Sequence, residues 1–92
     1  MPPEADICWL CARPMATLVE WHHPVPRQKR GRIRVAVHPI CHRTIHAHFT
    51  NAQLARMGAD VDAVRAHPEV ARFIEWIANK PPDFHASTHK PR

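Results

Sequence analysis

Aromatic residues and glycine are scarce in this sequence, and long apolar runs are missing from it. It has three Trp, three Phe and no Tyr among 92 residues, with two Gly against ten Pro. A chain this short buries only a modest core, and the shortage of aromatic side chains reduces that core further. A bound structural metal would compensate for the small core, and the prolines predict many fixed turns.

No stretch approaches the roughly 20 apolar residues that a membrane-spanning helix needs. The N-terminus is polar and does not resemble a signal peptide. Three cysteines are an odd number, and two of them are separated by only two residues, which does not fit a disulfide framework. Metal-bound thiolates in a reducing cytoplasm explain this cysteine usage better. We therefore expect a cytoplasmic protein with no membrane association.

Acidic residues are absent between Glu20 and Asp60, and the formal net charge of the chain is +5. The basic residues in this acid-free segment are Arg27, Lys29, Arg30, Arg32, Arg34, Arg43 and Arg56. A basic surface favours a polyanionic partner. A solvated basic face would have the same composition, and that alternative stays open.

Two short motifs with matching spacing predict a structural zinc site. Cys8 and Cys11 are separated by two residues, and so are His38 and Cys41. The first motif alone is a weak signal, because a redox pair has the same spacing. Together the two motifs supply the Cys3His ligand set that holds tetrahedral zinc.

The residues between these motifs predict a hairpin that leads into a helix. Segment 17–21 is rich in β-branched and aromatic residues and predicts a strand that delivers His22 and His23 at its end. Segment 33–37 predicts the return strand, after a basic loop that turns at Gly31. The following Pro39 suits the first turn of a helix that reaches about Phe49.

Capping signals predict further helices after this one. Thr50 and Gln53 have the spacing of a capping box, and Gly58 ends the helix that they open. Asp60 can cap a short helix, and Pro68 can open another.

The last of these helices has an apolar face that should pack on the hairpin and first helix. Its residues at i, i+3, i+4 and i+7 are Val70, Phe73, Ile74 and Ile77. We expect Trp76 in the same core. The chain is thus predicted to form a single domain over residues 1–79, with a helical extension at 50–79 and a disordered tail at 80–92.

Histidines supply a second candidate site. His42 and His46 are four residues apart, so on a helix they share a face with ring nitrogens able to converge on one ion. The adjacent His22 and His23 can add a third ligand and a base. Taken alone, a histidine pair at this spacing is more often a packing or surface feature. The sequence identifies no partner for the remaining histidines, and a surface position is expected for them: His48, His67, His85 and His89.

In their order along the chain, these motifs resemble the HNH (ββα-metal) endonuclease motif in its zinc-knuckle variety. The resemblance covers residues 8–49 and rests on His22-His23-Pro24-Val25-Pro26, the basic hairpin, His38-Pro39-Ile40-Cys41-His42 and His46. It implies an α+β fold with a small ββα-metal core, a structural zinc knuckle and additional C-terminal helices.

The resemblance also implies roles for individual residues. His22, His42 and His46 would bind a catalytic divalent metal (Mg²⁺, Mn²⁺, Ni²⁺ or Zn²⁺), and His23 would be the general base. The family's middle residue, usually Asn, falls near Ile33, which cannot form a hydrogen bond through its side chain. The implied function is that of a metal-dependent DNA endonuclease that hydrolyses phosphodiester bonds. Beside such a site, six basic residues are expected to contact DNA, mostly at backbone phosphates: Arg27, Lys29, Arg30, Arg32, Arg34 and Arg43. The alternative is a zinc-stabilised DNA-binding module of the same fold without turnover.

Overall fold

A computed structural model describes residues 6–26, 33–82 and 84 of the chain. Within these residues the fold is α+β, as predicted, with one two-stranded sheet and four helices. The elements are β1 (Glu20–His22), β2 (Val35–Val37), α1 (Pro39–His48), α2 (Asn51–Met57), α3 (Val61–Arg65) and α4 (Pro68–Ile77). None of these helices is both long enough and apolar enough to cross a membrane.

The predicted hairpin is present, but both of its strands are shorter than predicted. In the antiparallel pairing the three residues of β1 lie opposite those of β2, and His22 faces Val35. Leu18 and Ile33, expected in the strands, are 55% and 65% exposed, since they lie outside the paired segment. Because side chains alternate along a strand, Glu20 and His22 share one face of the sheet. The predicted turn at Gly31 lies outside the described residues.

Helix α1 begins as predicted, with Pro39 in its first turn and His38 in an extended conformation before it. Its core face consists of Ile40, Cys41, Thr44 and Ile45, all buried. The Thr44 hydroxyl donates a hydrogen bond of 2.9 Å to the Ile40 carbonyl, which satisfies this polar group within the core. The neighbouring face of α1 carries His42 and His46 towards β1.

The capping signals of the next two helices are confirmed. The Thr50 hydroxyl accepts a bond from the Gln53 amide at 3.2 Å, and the Gln53 side chain accepts one from the Thr50 amide at 2.8 Å. Gly58 follows α2 with a φ of 60°, a left-handed conformation that glycine adopts at little cost. The Asp60 carboxylate accepts from the Ala63 amide and caps α3.

The apolar face of α4 is confirmed, whereas the placement of Trp76 in the core is wrong. Val70 and Ile77 are fully buried, and Phe73 and Ile74 are partly buried against the core. Trp76 is 48% exposed because it lies at the edge of this face, not at its centre.

The predicted tail begins with residues that contact the rest of the fold. We call residues 80–82 and 84 the C-terminal strap. The carbonyls of Lys80 and Pro81 accept hydrogen bonds from Arg13, and the Phe84 amide donates to the Pro81 carbonyl at 2.9 Å. The described contacts therefore extend past residue 79 to Phe84, while residues 83 and 85–92 lie outside the described part of the chain.

Candidate metal centres

The two halves of the predicted zinc knuckle come together in one cluster. One ligand atom from each of Cys8, Cys11, His38 and Cys41 lies within 4.8 Å of the others. The Nδ1 atom of His38 is 3.4 Å from the Cys11 sulfur and 3.7 Å from the Cys41 sulfur. Cys11 is half-buried and the other three residues are buried. This Cys3His set can hold a structural zinc ion.

Backbone hydrogen bonds shape the turn that presents Cys8 and Cys11. The Ala12 amide donates to the Cys8 carbonyl at 2.9 Å, and the Cys8 amide donates to the Arg13 carbonyl at 3.0 Å. The Trp9 amide donates to the Ala36 carbonyl at 2.9 Å, which joins the turn to β2. Ala12 has a φ of 63°, a left-handed conformation that non-glycine residues seldom adopt. The turn is therefore held at both ends despite this local strain.

A hydrogen bond orients the His38 ring for metal binding. Its Nε2 lies 3.0 Å from the Pro14 carbonyl oxygen. Because a carbonyl can only accept, Nε2 carries the proton and the lone pair of Nδ1 faces the sulfurs. A partner of this kind fixes the tautomer of a metal-binding histidine.

The three thiols have pKa values that diverge from one another. The pKa of Cys11 lies far below its ordinary value because the thiols of Cys41 and Cys8 donate hydrogen bonds to its sulfur. The same bonds, together with burial, raise the pKa of Cys41 and of Cys8. Because zinc binds thiolates, metal binding at such a set releases thiol protons.

The second cluster consists of His22, His42 and His46. One ring nitrogen of each lies within 4.8 Å of the others. The ring centroids are 5.2 Å apart for His22 and His42, 5.3 Å for His22 and His46, and 4.9 Å for His42 and His46. His22 is fully buried, His42 is half-buried and His46 is exposed. The cluster is therefore closed on the protein side and accessible from solvent at His46.

Both ring nitrogens of His22 are buried, and neither has a hydrogen-bond partner in the described part of the chain. Burial, and next the neighbouring His42 and His46, lower the pKa of His22 to about 3. The ring is therefore neutral at physiological pH, with a lone pair available. An unsatisfied buried polar group costs about 1–3 kcal/mol, and a bond to a metal would remove part of that cost. The donor chemistry of the cluster fits a cation that prefers imidazole.

Glu20 is a member of this site that the sequence reasoning missed. The Nδ1–H of His42 donates to the Glu20 carboxylate at 2.8 Å. The bond leaves Nε2 of His42 as the ring nitrogen free to bind a metal, as in the carboxylate–histidine pairs of metal sites. The available signal was strand alternation, which puts Glu20 and His22 on one face.

Replacing Glu20 with alanine should weaken metal binding at the histidine cluster by about 10- to 100-fold, the usual effect of losing such a carboxylate. Calorimetric titration of Ni²⁺ into zinc-loaded protein measures this affinity. The matched control is Glu75→Ala, which removes the same charge from an exposed position of α4. Equal affinities for Glu20→Ala and the wild type would show that the carboxylate does not support the ligand.

His23 lies beside the cluster without belonging to it. It is half-buried and follows the last residue of β1. Its ring is close enough to His22 to contribute to the lowered pKa of that residue. The position leaves His23 available for a role other than metal binding.

Two of the basic residues expected to contact DNA are among the described residues, and both are on the surface. Arg34 and Arg43 are exposed, and the Arg34 guanidinium lies 4.9 Å from the centroid of the Trp21 ring. The other predicted DNA contacts lie outside the described residues: Arg27, Lys29, Arg30 and Arg32.

Two of the remaining histidines, His48 and His67, are half-buried and contact each other. Their rings are 5.2 Å apart, and Nδ1 of His67 accepts a hydrogen bond from the Glu69 amide at the start of α4. His85 and His89 lie outside the described residues.

The fold and the Cys3His cluster define a small α+β protein with a site that can bind zinc. Over 88 residues the chain is 40% identical to YisB of Bacillus subtilis (strain 168), described as an uncharacterized protein. The alignment covers 94% of this chain and 87% of YisB, so the chain belongs to the same family as YisB. No protein-family model matches the chain, and no solved structure does.

Proposed function

We propose that the protein is a metal-dependent DNA endonuclease of the HNH (ββα-metal) kind. The observation that carries the proposal is the convergence of His22, His42 and His46, with His23 directly beside them. A surface or packing role does not explain why a fully buried histidine keeps both ring nitrogens without a hydrogen bond to any of the residues that the structure describes. The cluster lies between the hairpin and a helix that carries one knuckle ligand, Cys41, and is preceded by another, His38, which agrees with the resemblance of residues 8–49.

The ligand set determines which cations suit the site. All three ligands are imidazole nitrogens, which bind Zn²⁺, Ni²⁺ or Co²⁺ better than they bind the oxygen-preferring Mg²⁺. When bound, such a cation neutralises charge that develops on the scissile phosphate and stabilises the leaving oxygen. Glu20 holds His42 in the required tautomer, and the burial of His22 keeps that ring neutral.

His23 is the general base of the proposed reaction. A neutral imidazole can accept a proton from the attacking water near neutral pH. Its unprotonated ring nitrogen takes that proton as the new bond to phosphorus forms and the bond to the leaving oxygen breaks. Its half-buried position beside the cluster lets water reach the ring.

DNA is the proposed substrate because of the charge around the site. Arg43 directly follows His42 on α1, and Arg34 is the residue before β2; both are exposed. Both belong to the acid-free segment between Glu20 and Asp60. Contacts of arginine with backbone phosphates carry no sequence information, so little sequence preference is expected.

Nicking of supercoiled plasmid tests this function. The zinc-loaded protein should convert supercoiled to open-circular DNA with at least one of Mg²⁺, Mn²⁺, Ni²⁺ or added Zn²⁺. The variant His22→Ala, prepared in parallel, should not nick, because it lacks the buried ligand of the cluster. Equal nicking by this variant and the wild type would indicate a contaminating nuclease and contradict the proposal.

The second candidate is a zinc-stabilised DNA-binding module without turnover. It is favoured by Ile33, which is 65% exposed at the position where the resemblance expects Asn, and whose side chain cannot brace a catalytic loop through hydrogen bonds. This candidate predicts DNA binding without nicking in every metal. A protein that neither nicks nor binds DNA would contradict both candidates.

A further inference from the structure

Arg13 is a buried cation with an incomplete set of partners. Its relative exposure is 9%, which is rare for arginine. One guanidinium nitrogen donates to the carbonyls of Lys80 and Pro81, at 2.7 and 2.9 Å. Its Nε and its other terminal nitrogen are buried and make no hydrogen bond to any described residue. Among the described residues, no carboxylate forms an ion pair with Arg13. A buried charge without a counter-ion is strongly unfavourable.

The Cys3His cluster can supply the missing negative charge. Three thiolates and one neutral imidazole around a divalent cation have a net charge of −1. Arg13 belongs to the turn that presents Cys8 and Cys11, because its carbonyl accepts a hydrogen bond from the Cys8 amide. Arg13 also follows the ligand Cys11 by only two residues, so its buried side chain starts from the same turn.

We propose that Arg13 is the counter-ion of the metal-bound Cys3His cluster and couples this cluster to the C-terminal strap. The charge and the two unused donors of the guanidinium serve the anionic cluster. The nitrogen bonded to Lys80 and Pro81 holds the strap. The role is one of positioning, and it does not depend on the proposed nuclease activity.

The coupling has a structural consequence at Trp76. The strap is closed by hydrogen bonds from the Lys80 amide to the Ile77 carbonyl and from the Phe84 amide to the Pro81 carbonyl. The Phe84 ring lies 5.3 Å from the Trp76 ring, and the Lys80 ammonium lies 5.2 Å from it. Metal binding therefore holds the strap over one side of this tryptophan. Because coupling between sites is reciprocal, an ordered strap in turn strengthens metal binding.

Arg13→Gln in the full chain tests the proposal. It should lower the zinc affinity by about 10- to 100-fold, as the loss of an outer partner of a metal site does. Competition with a chromophoric chelator measures this affinity. In zinc-saturated protein, the amides of Lys80 and Phe84 should exchange hydrogen about 10-fold faster or more, because an open strap leaves them unprotected. The matched control is Arg72→Gln, which removes an exposed arginine paired with Glu69 and should change neither quantity.

Replacing zinc with cobalt in the Cys3His cluster shows whether Arg13 acts on the cluster through its charge or has only a structural role. Loss of the positive charge beside the sulfurs should move the sulfur-to-cobalt charge-transfer band of Arg13→Gln to lower energy. Arg13→Lys keeps the charge but cannot bridge both carbonyls. It should keep more of the zinc affinity than Arg13→Gln does and still show fast exchange in the strap.

The proposal is overturned if Arg13→Gln binds zinc as tightly as the wild type and its cobalt band does not move. It is also overturned if Asp83→Asn, at an acidic position outside the described residues, reproduces the zinc-affinity loss and strap exchange of Arg13→Gln, since Asp83 would then be the counter-ion. If Arg13→Gln does not fold, hydrogen exchange of the strap amides in Arg13→Lys tests the proposal instead. Exchange there at the wild-type rate would exclude the coupling.

Discussion

Serine at both Cys8 and Cys11 should unfold the domain. These residues provide two of the four ligands that join the N-terminal turn to β2 and the start of α1. The apparent binding free energy of a structural zinc ion is on the order of 10 kcal/mol at neutral pH. The whole stability of a small domain is about 5–15 kcal/mol. Loss of the metal therefore removes most or all of the free energy of unfolding of this chain.

Circular dichroism and elemental analysis check this prediction. The double variant should lose helical signal and contain no zinc, and a strong chelator should do the same to the wild type. Ala16→Ser, which adds a hydroxyl at an exposed position of the same segment, is the control and should stay folded with one zinc ion bound. A folded, zinc-free double variant would mean that the cluster is not a structural metal site.

The variant His23→Ala should lose cleavage activity while it still binds metal. If His23 only activates water, His23→Ala should lower the cleavage rate by roughly 10²–10⁴, which is the usual contribution of a general base. Its fold, DNA affinity and metal content should not change, because His23 is not one of the clustered ligands. His46→Ala should instead lose the metal of the histidine cluster along with activity, while the Cys3His zinc remains.

Three measurements on the same preparations distinguish these outcomes: plasmid nicking, calorimetric metal titration and DNA binding. His48→Ala is the control on the same helix, since His48 lies outside the cluster and contacts His67. It should cleave at the wild-type rate. Cleavage by His23→Ala at that rate would refute the base assignment, and loss of metal from His23→Ala would make it a ligand.

Most helix boundaries were predictable because local chemistry determines them. The Thr50 and Gln53 side chains satisfy backbone groups within three residues of each other, and the fixed φ of Pro39 suits a first turn whatever surrounds it. The spacing of Cys8 and Cys11 and the pitch of α1 likewise brought the expected ligands together. In each case a few neighbouring residues determine the local geometry, although the contact between Cys11 and His38 spans 27 positions.

The features that were missed depend on residues far apart in the chain. Glu20 reaches His42 across 22 positions, and Arg13 reaches Lys80 across 67 positions. Both contacts require the packing of the hairpin and helices to be known first. The exposure of Trp76 has a similar origin, since a position at the edge of an apolar face is covered or uncovered by whatever packs beside it.

Helix α1 and the residue before it carry ligands of both clusters, and Cys41 and His42 are adjacent. Each residue turns an α-helix by about 100°. Inserting or deleting one residue between positions 38 and 46 would rotate every following side chain away from the partners it meets now. This geometry limits which mutations the segment can accept during evolution. Substitutions at many positions of this segment keep the register of the helix. An insertion or deletion of one residue does not, so we expect homologues that keep both clusters to have the same number of residues here.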